Sequence, residues 1–268
     1  MSQQLPVIAI LGTGSMGGAI LAGLRSAGAD VRVTTRSAAS AAAIEGAVAT
    51  ETDPEANLRA VEGARIVVIG VKPVMVPDLL REIAPALAPD TIVVSVAVGV
   101  TVATMEALVP VPVIRAMPNT PSLVGLGVTG VSAGTRTTEE ELALAVALFE
   151  TVGEVLVVPE GKLDALSTIS GSGPAYVFLL IEELVRTAVD LGFSDAEATT
   201  MVAGTFRGAS ELLAASDVDA AELRRRVTSP KGTTERAVAV LQEADLSAIF
   251  DRATAAALAR ARELAAGA

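Results

Sequence analysis

Short runs of β-branched residues alternate with Ala-rich stretches from Val7 to about Val158, and this alternation restricts the fold more than any other feature of the chain. The runs are Val7–Leu11, Val31–Thr35, Ile66–Val71, Thr91–Val96, Val111–Arg115, Gly127–Ser132 and Glu154–Val158. Strands separated by helix-length segments predict a parallel, doubly wound sheet. After about Glu160 the strand pattern ends, and Ala175–Leu191, Asp195–Ala215, Ala220–Val227, Thr233–Glu243 and Leu246–Ala265 read as helices. The expected organisation is therefore an α/β domain over residues 1–159 followed by an all-helical domain over residues 160–268.

The first strand runs into Ile10-Leu-Gly-Thr-Gly-Ser-Met-Gly-Gly-Ala19, which places Gly12, Gly14 and Gly17 in G-x-G-x-x-G spacing. Alone the pattern is weak. Here it follows an apolar strand, opens a helix over Met16–Ala27 and is succeeded by a second strand at Val31, the context of a Rossmann-like dinucleotide site. Gly12 permits the tight turn, Gly14 lets backbone approach a pyrophosphate, and Gly17 lets helix and strand pack closely. The loop residues Thr13, Ser15 and Met16 complete the candidate phosphate cradle, and the helix N-terminus attracts anions. An NAD site places an acid at the end of the second strand, but this chain has Thr34-Thr-Arg-Ser37. Arg36 and Ser37 suit a 2′-phosphate, so NADPH is favoured, with NADH the second option.

Composition narrows the chemistry. The chain has no Cys and no His, which removes thiol nucleophiles, thiolate and imidazole metal ligands, and the commonest general base. No metal site is expected. A formal charge of −11 opposes binding to nucleic acid. Although 51% of residues are hydrophobic, they are never gathered into a run long enough to span a bilayer. The opening M-S-Q-Q-L-P has no secretory pattern, so a soluble, cytoplasmic protein is expected.

Three motifs fall at the C-terminal ends of expected strands, where ligands bind in open α/β sheets: Gly70-Val-Lys-Pro73, Ser95-Val-Ala-Val-Gly99 and Arg115-Ala-Met-Pro-Asn-Thr-Pro121. Lys72 and Asn119 are the polar side chains expected to face the nicotinamide end. The helical half adds two more. In Ser170-Gly-Ser-Gly-Pro-Ala-Tyr176, Ser172 or Gly173 reads as a helix cap with Pro174 in the first turn. Tyr176, the single tyrosine, suits a core, an interface or a pocket equally. Thr228-Ser-Pro-Lys-Gly-Thr-Thr234 gathers hydroxyls, a cation and turn residues before a helix, a setting able to hold a small anion.

Taken in order, L-G-T-G-S-M-G, G-V-K-P, R-A-M-P-N-T-P, S-G-S-G-P-A-Y and T-S-P-K-G-T-T make the chain resemble the pyrroline-5-carboxylate reductases over nearly its whole length. The resemblance implies NAD(P)H-dependent reduction of 1-pyrroline-5-carboxylate to L-proline, the last step of proline synthesis. It implies an intertwined homodimer through the helical domain, with a ring of dimers as a larger assembly. By resemblance, Asn57 lies near the adenosine ribose, Val71, Lys72, Pro73, Ala97 and Asn119 line the cofactor pocket, and Glu160 lies near the nicotinamide. Ser229, Gly232, Thr233 and Thr234 hold the substrate carboxylate, with Thr234 also hydrogen-bonding the ring nitrogen. The chain departs from the family pattern at Lys231, where many relatives have Gly, at Val98 in place of Ala, and at Arg226, where some have Asn.

The missing His and Cys suit this chemistry. An imine protonated on nitrogen is already electrophilic, so the protein's task is to orient it, an effect within the roughly 7–11 kcal/mol available to aligned reactants. Two other readings compete. A β-hydroxyacid dehydrogenase or another imine reductase shares the architecture, but the former uses a Lys in the helical domain, and no Lys lies on the expected helices after Lys162. A non-catalytic nucleotide sensor would keep the glycines without needing the distal turn. The sequence leaves open a five- or six-membered cyclic imine.

Overall fold

The computed structural model describes residues 5–266, with side chains through Glu263. Met1–Gln4, part of the stretch read for a secretory signal, lie outside the described residues. By internal packing the chain divides into residues up to Pro174 together with those from Ala256 onward, and a second unit over Ala175–Ala255.

The first unit is built on β1 (Ile8–Leu11), α1 (Ser15–Ser26), β2 (Val31–Thr35), α2 (Ala38–Ala42), β3 (Ala47–Ala49), α3 (Ala56–Val61), β4 (Ile66–Ile69), α4 (Val76–Ile83), β5 (Ile92–Ser95), α5 (Val102–Glu106), β6 (Val113–Met117), β7 (Gly127–Ala133), α6 (Glu139–Glu150), β8 (Gly153–Val157) and α7 (Glu160–Leu166). The eight strands form one sheet in the order β3-β2-β1-β4-β5-β6-β7-β8. Its two cores follow from the two-residue period of a strand. Ala9, Leu11, Val67 and Ile69 point to one face, against Leu80, Ile83 and Met105. Ile8, Ile10, Ile66 and Val68 point to the other, against Ile20, Leu24, Leu148 and Phe149. Strands buried on both faces account for the continuous apolar runs in the sequence.

One pair departs from the expected parallel sheet: β6 and β7 run antiparallel, with Ile114 opposite Ala133 and Met117 opposite Gly130. The link between them holds only a 3₁₀ turn at Thr120–Val124, too short for the crossover that a parallel pair requires. β3 went unpredicted because three residues, Ala-Val-Ala, carry almost no strand signal.

The second unit holds most of α8 (Gly173–Asp190), all of α9 (Asp195–Ala214), α10 (Ala220–Arg226) and α11 (Thr233–Glu243), and the start of α12 (Leu246–Ala266). Ser194 and Glu197 close a capping box at the start of α9, and Asp219 caps α10 through the Glu222 amide at 2.8 Å, which fixes where each helix begins. Only Ala188, Ala198 and Val202 are buried among the side chains of this unit. The fully buried Leu163 of α7 packs with the first unit. Among the described residues no helix is long and apolar enough to cross a membrane.

Candidate active site

β1 ends at Leu11, and the chain must turn at once into α1. Gly12 does this with a φ of +93°, a region that side-chain-bearing residues rarely enter. Added side-chain carbons show what the other glycines are for. A Cβ on Gly17 would sit 2.4 Å from the Gly12 carbonyl oxygen, so Gly17 is required by helix-to-loop packing. A Cβ on Gly14 would meet nothing within 4 Å. No side chain caps α1 at Gly14, which leaves first-turn amides facing open space. The Thr13 Oγ1 beside them is buried without a hydrogen-bond partner. An uncapped helix start, an orphaned hydroxyl and an unfilled space above a glycine fit a bound phosphate group.

This loop forms one end of a 690 Å³ cleft. Of the residues expected to bind a cofactor, Gly12, Thr13, Gly14, Arg36, Asn57, Val71 and Lys72 line it. Ser15, Met16 and Gly17 form the first turn of α1. Ser37 caps α2 by accepting from the Ser40 amide at 3.2 Å, and it is Ser40 that reaches the cleft. Pro73 opens the 3₁₀ turn after Lys72. Asn57 is nearly buried, accepting from the Thr34 hydroxyl at 2.7 Å and donating to Glu82 at 3.0 Å.

The candidate substrate turn belongs to the helical unit. Gly232 is the N-cap of α11, and no side chain caps the helix there. Lys231 just before it takes a left-handed φ of 61°, which explains why a Gly suits this position. Glu235 accepts from the Lys231 amide at 2.8 Å, and the Thr228 hydroxyl is held by the Arg224 carbonyl at 2.6 Å. Ser229, Thr233 and Thr234 are exposed. Arg226 is engaged by Glu222 at 2.9 Å. Hydrogen bonds from Arg225 and then Arg226 pull the Glu222 carboxyl down to about 2.

The chain is 39% identical over 266 residues to a pyrroline-5-carboxylate reductase of Pseudomonas aeruginosa, with 97% of each covered. It belongs to the pyrroline-5-carboxylate reductase family. A second member, from Mycobacterium tuberculosis, is 38% identical over 289 residues with 96% of each covered. Residues 160–264 match the family pattern described as pyrroline-5-carboxylate reductase dimerisation, and residues 7–99 match that of NADP oxidoreductase, coenzyme F420-dependent. Among solved structures, a pyrroline-5-carboxylate reductase from Coxiella burnetii superposes with a TM-score of 0.88 at 33% identity, covering 97% of this chain and 98% of that one. The Plasmodium falciparum pyrroline carboxylate reductase, solved with NADP bound, gives 0.83 at 24% identity over 98% and 99%, a likeness of fold.

Ala97, Asn119 and Glu160 of this reductase-family chain, like Ser15, Met16, Gly17, Ser37 and Pro73, lie outside the cleft lining, and Asn119 holds the S-G-S-G-P segment in place. Ser167–Gly171 is a π-helical turn joining α7 to α8. Ser172 lies in the right-handed helical region with its amide bonded to the Ser167 carbonyl at 2.9 Å. Ser172 is therefore not the expected cap: the helix runs through it, and the flanking glycines accompany a π turn, a feature frequent at functional sites. Pro174 has no N–H to offer the carbonyl four residues back. That carbonyl, on Ser170, instead accepts from Asn119 Nδ2 at 2.9 Å, while Asn119 Oδ1 accepts from the Val128 amide at 2.8 Å. Asn119 thus joins the β6 end, the start of β7 and the π turn. Asn119→Ala should cost about 1–3 kcal/mol, the range for stranding buried polar groups, read as a lower melting temperature by calorimetry.

Glu160 is likewise bound within the first unit. Its Oε1 accepts from the Val102 amide at 2.7 Å and lies 3.4 Å from Arg115 Nη1, while Asp164 takes Arg115 Nη2 at 2.6 Å. Arg115 is 3% exposed, so its charge depends on these two carboxylates. Nothing in the R-A-M-P-N-T-P motif itself names a partner for Arg115. A lone cation inside an apolar strand, with two acids four residues apart on a later helix, was the available signal. Ala97 is buried just after β5, where its amide donates to Ser95 Oγ at 3.2 Å. Within the helical unit Tyr176 stacks at a tilt on Phe250, with centroids 6.3 Å apart.

Proposed function

We propose that this chain reduces 1-pyrroline-5-carboxylate to L-proline with NADPH, NADH serving as a weaker donor, as the closing step of proline synthesis in the cytoplasm. The observation that carries the substrate assignment is the start of α11 at Gly232, where no side chain caps the first-turn amides and Thr233 and Thr234 are exposed. The carboxylate of a small imino acid suits such amides. Thr234 orients the ring nitrogen, and Ser229 and Gly232 shape the turn. Gly12, Thr13, Gly14, Ser15, Met16 and Gly17 hold the pyrophosphate; Arg36 and Ser37 take the 2′-phosphate, and Asn57 the ribose. Val71, Lys72, Pro73, Ala97, Asn119 and Glu160 form the wall on the nicotinamide side, Asn119 and Glu160 by positioning their neighbours. When bound, the reduced nicotinamide supplies the hydride, and the chain's own groups bind and orient.

The functional halves are residues 1–159 for the cofactor and 160–268 for dimerisation and substrate binding. The protein works as a homodimer with intertwined helical domains, and dimers close into a ring. The uncovered apolar surface of the helical unit supports this reading. In the dimer the Thr228–Thr234 turn completes the partner's site. Purified protein given the cyclic imine and NADPH should oxidise the cofactor and form proline; no substrate-dependent oxidation would remove the assignment. Thr234→Ala should lower kcat/KM by about tenfold to a hundredfold, the size of one hydrogen bond to a charged group, in steady-state assays at unchanged melting temperature.

A further inference from the structure

The end of β2 carries no acid, and that absence favoured a phosphorylated cofactor in the sequence. The fold restores an acid from elsewhere. Glu82, on α4, lines the same cleft as Arg36 and Asn57, and its Oε1 accepts from Asn57 Nδ2 at 3.0 Å. Asn57 Oδ1 in turn accepts from the hydroxyl of Thr34, a residue of β2. The carboxylate therefore stands one side chain away from the strand end at which dinucleotide folds read the ribose.

Two physical consequences follow. A carboxylate only accepts hydrogen bonds, so Glu82 fixes the amide of Asn57 with its nitrogen toward α4 and its oxygen toward Thr34. Asn57 is then left with one N–H and one lone pair in fixed positions for a ligand. Neighbouring Asp78 is paired with Arg81 at 2.7 Å, whereas among the described residues Glu82 enters no ion pair. Its charge is free to act on whatever occupies the cleft. A 2′-phosphate carries about −1.5 to −2 at neutral pH and is repelled by it; a 2′-hydroxyl is not.

We propose that Glu82 is a specificity-determining residue of the cofactor cleft: it holds the Asn57 amide for the ribose and opposes the 2′-phosphate that Arg36 attracts. The inference rests on the dinucleotide reading of the cleft but on no step of the reaction. It is tested by calorimetric titration of the full-length protein with adenosine 2′,5′-bisphosphate and with adenosine 5′-monophosphate. Glu82→Gln keeps an acceptor and removes the charge, so the bisphosphate should gain about threefold over the monophosphate, the scale of one solvent-screened charge pair. The gain should shrink with added salt. Glu82→Ala also releases Asn57, so the monophosphate should bind more weakly than to the unaltered protein. An unchanged ratio in Glu82→Gln, with both probes still bound, overturns the role of Glu82 alone. Failure of the unaltered protein to bind either probe overturns it together with the cofactor reading.

Discussion

Gly14→Val is expected to leave the protein folded while raising the Kd for NADPH by at least ~100-fold, about 3 kcal/mol. The backbone at Gly14, with φ −63° and ψ −171°, is open to any L-residue. An added Cβ meets nothing within 4 Å, so packing within the chain is undisturbed. The stability cost is about that of a poor N-cap, roughly 1 kcal/mol. The new methyl groups would instead fill the space over the first-turn amides and Thr13, where the pyrophosphate is proposed to lie. Gly17→Ala makes the contrast. Its single methyl would be driven to 2.4 Å from the Gly12 carbonyl oxygen, a clash with backbone that only a shift of helix or loop can relieve, so this variant should lose stability first. Thermal melts and NADPH fluorescence titrations separate the two outcomes. Unweakened NADPH binding by Gly14→Val would show that the cofactor does not approach that backbone.

The second large effect is expected at Phe178 of α8. Phe178, Leu179 and Leu180 are 65%, 56% and 48% exposed. Successive residues lie about 100° apart around a helix, so these three spread apolar surface over some 200° of it. A helix packed against one neighbour shows an apolar stripe and a polar back; the charged residues of α8, Glu182, Glu183, Arg186 and Asp190, all lie in its second half, and the first half has none. With three buried side chains in its unit, it has too little core to stand alone. Phe178→Glu would place a carboxylate in a surface that a second copy covers in the proposed dimer, at a cost of several kcal/mol per unpaired buried charge. Sedimentation should show a shift from dimer to monomer, with loss of turnover and of helical circular dichroism. The unaltered protein should melt at higher temperature as its concentration rises, because assembly and folding are linked. A Phe178→Glu variant that stays dimeric and active would place the interface elsewhere.

Local pattern made the sheet legible. Val-rich runs and their spacing located seven strands to within a few residues, the central ones because strands buried on both faces write their burial into consecutive positions. What sequence could not convey was pairing. The antiparallel turn of β7 depends on the length of a link, and Ser172 looked like a cap because Ser before Gly-Pro usually is one. Asn119, Arg115 and Glu82 find their partners across the fold, at Ser170, at Glu160 and Asp164, and at Asn57. None of those partners is marked by periodicity. The glycine loop was readable because it needs a backbone conformation that few residues supply, and the Thr228–Thr234 turn because it gathers hydroxyls, a cation and turn residues before a helix.

The bond between Asn119 and the Ser170 carbonyl bears on how such a chain can change over generations. The imino acid at 174 creates a vacancy that the amide at 119 fills, so the two positions are not free to drift separately. An exchange of Asn119 costs less once Pro174 has given way to a residue with its own N–H, because only the Val128 amide is then left without its partner, and the reverse order passes through a more weakened intermediate. At this pair one order of exchange is cheaper than the other, and the difference rests on one missing hydrogen.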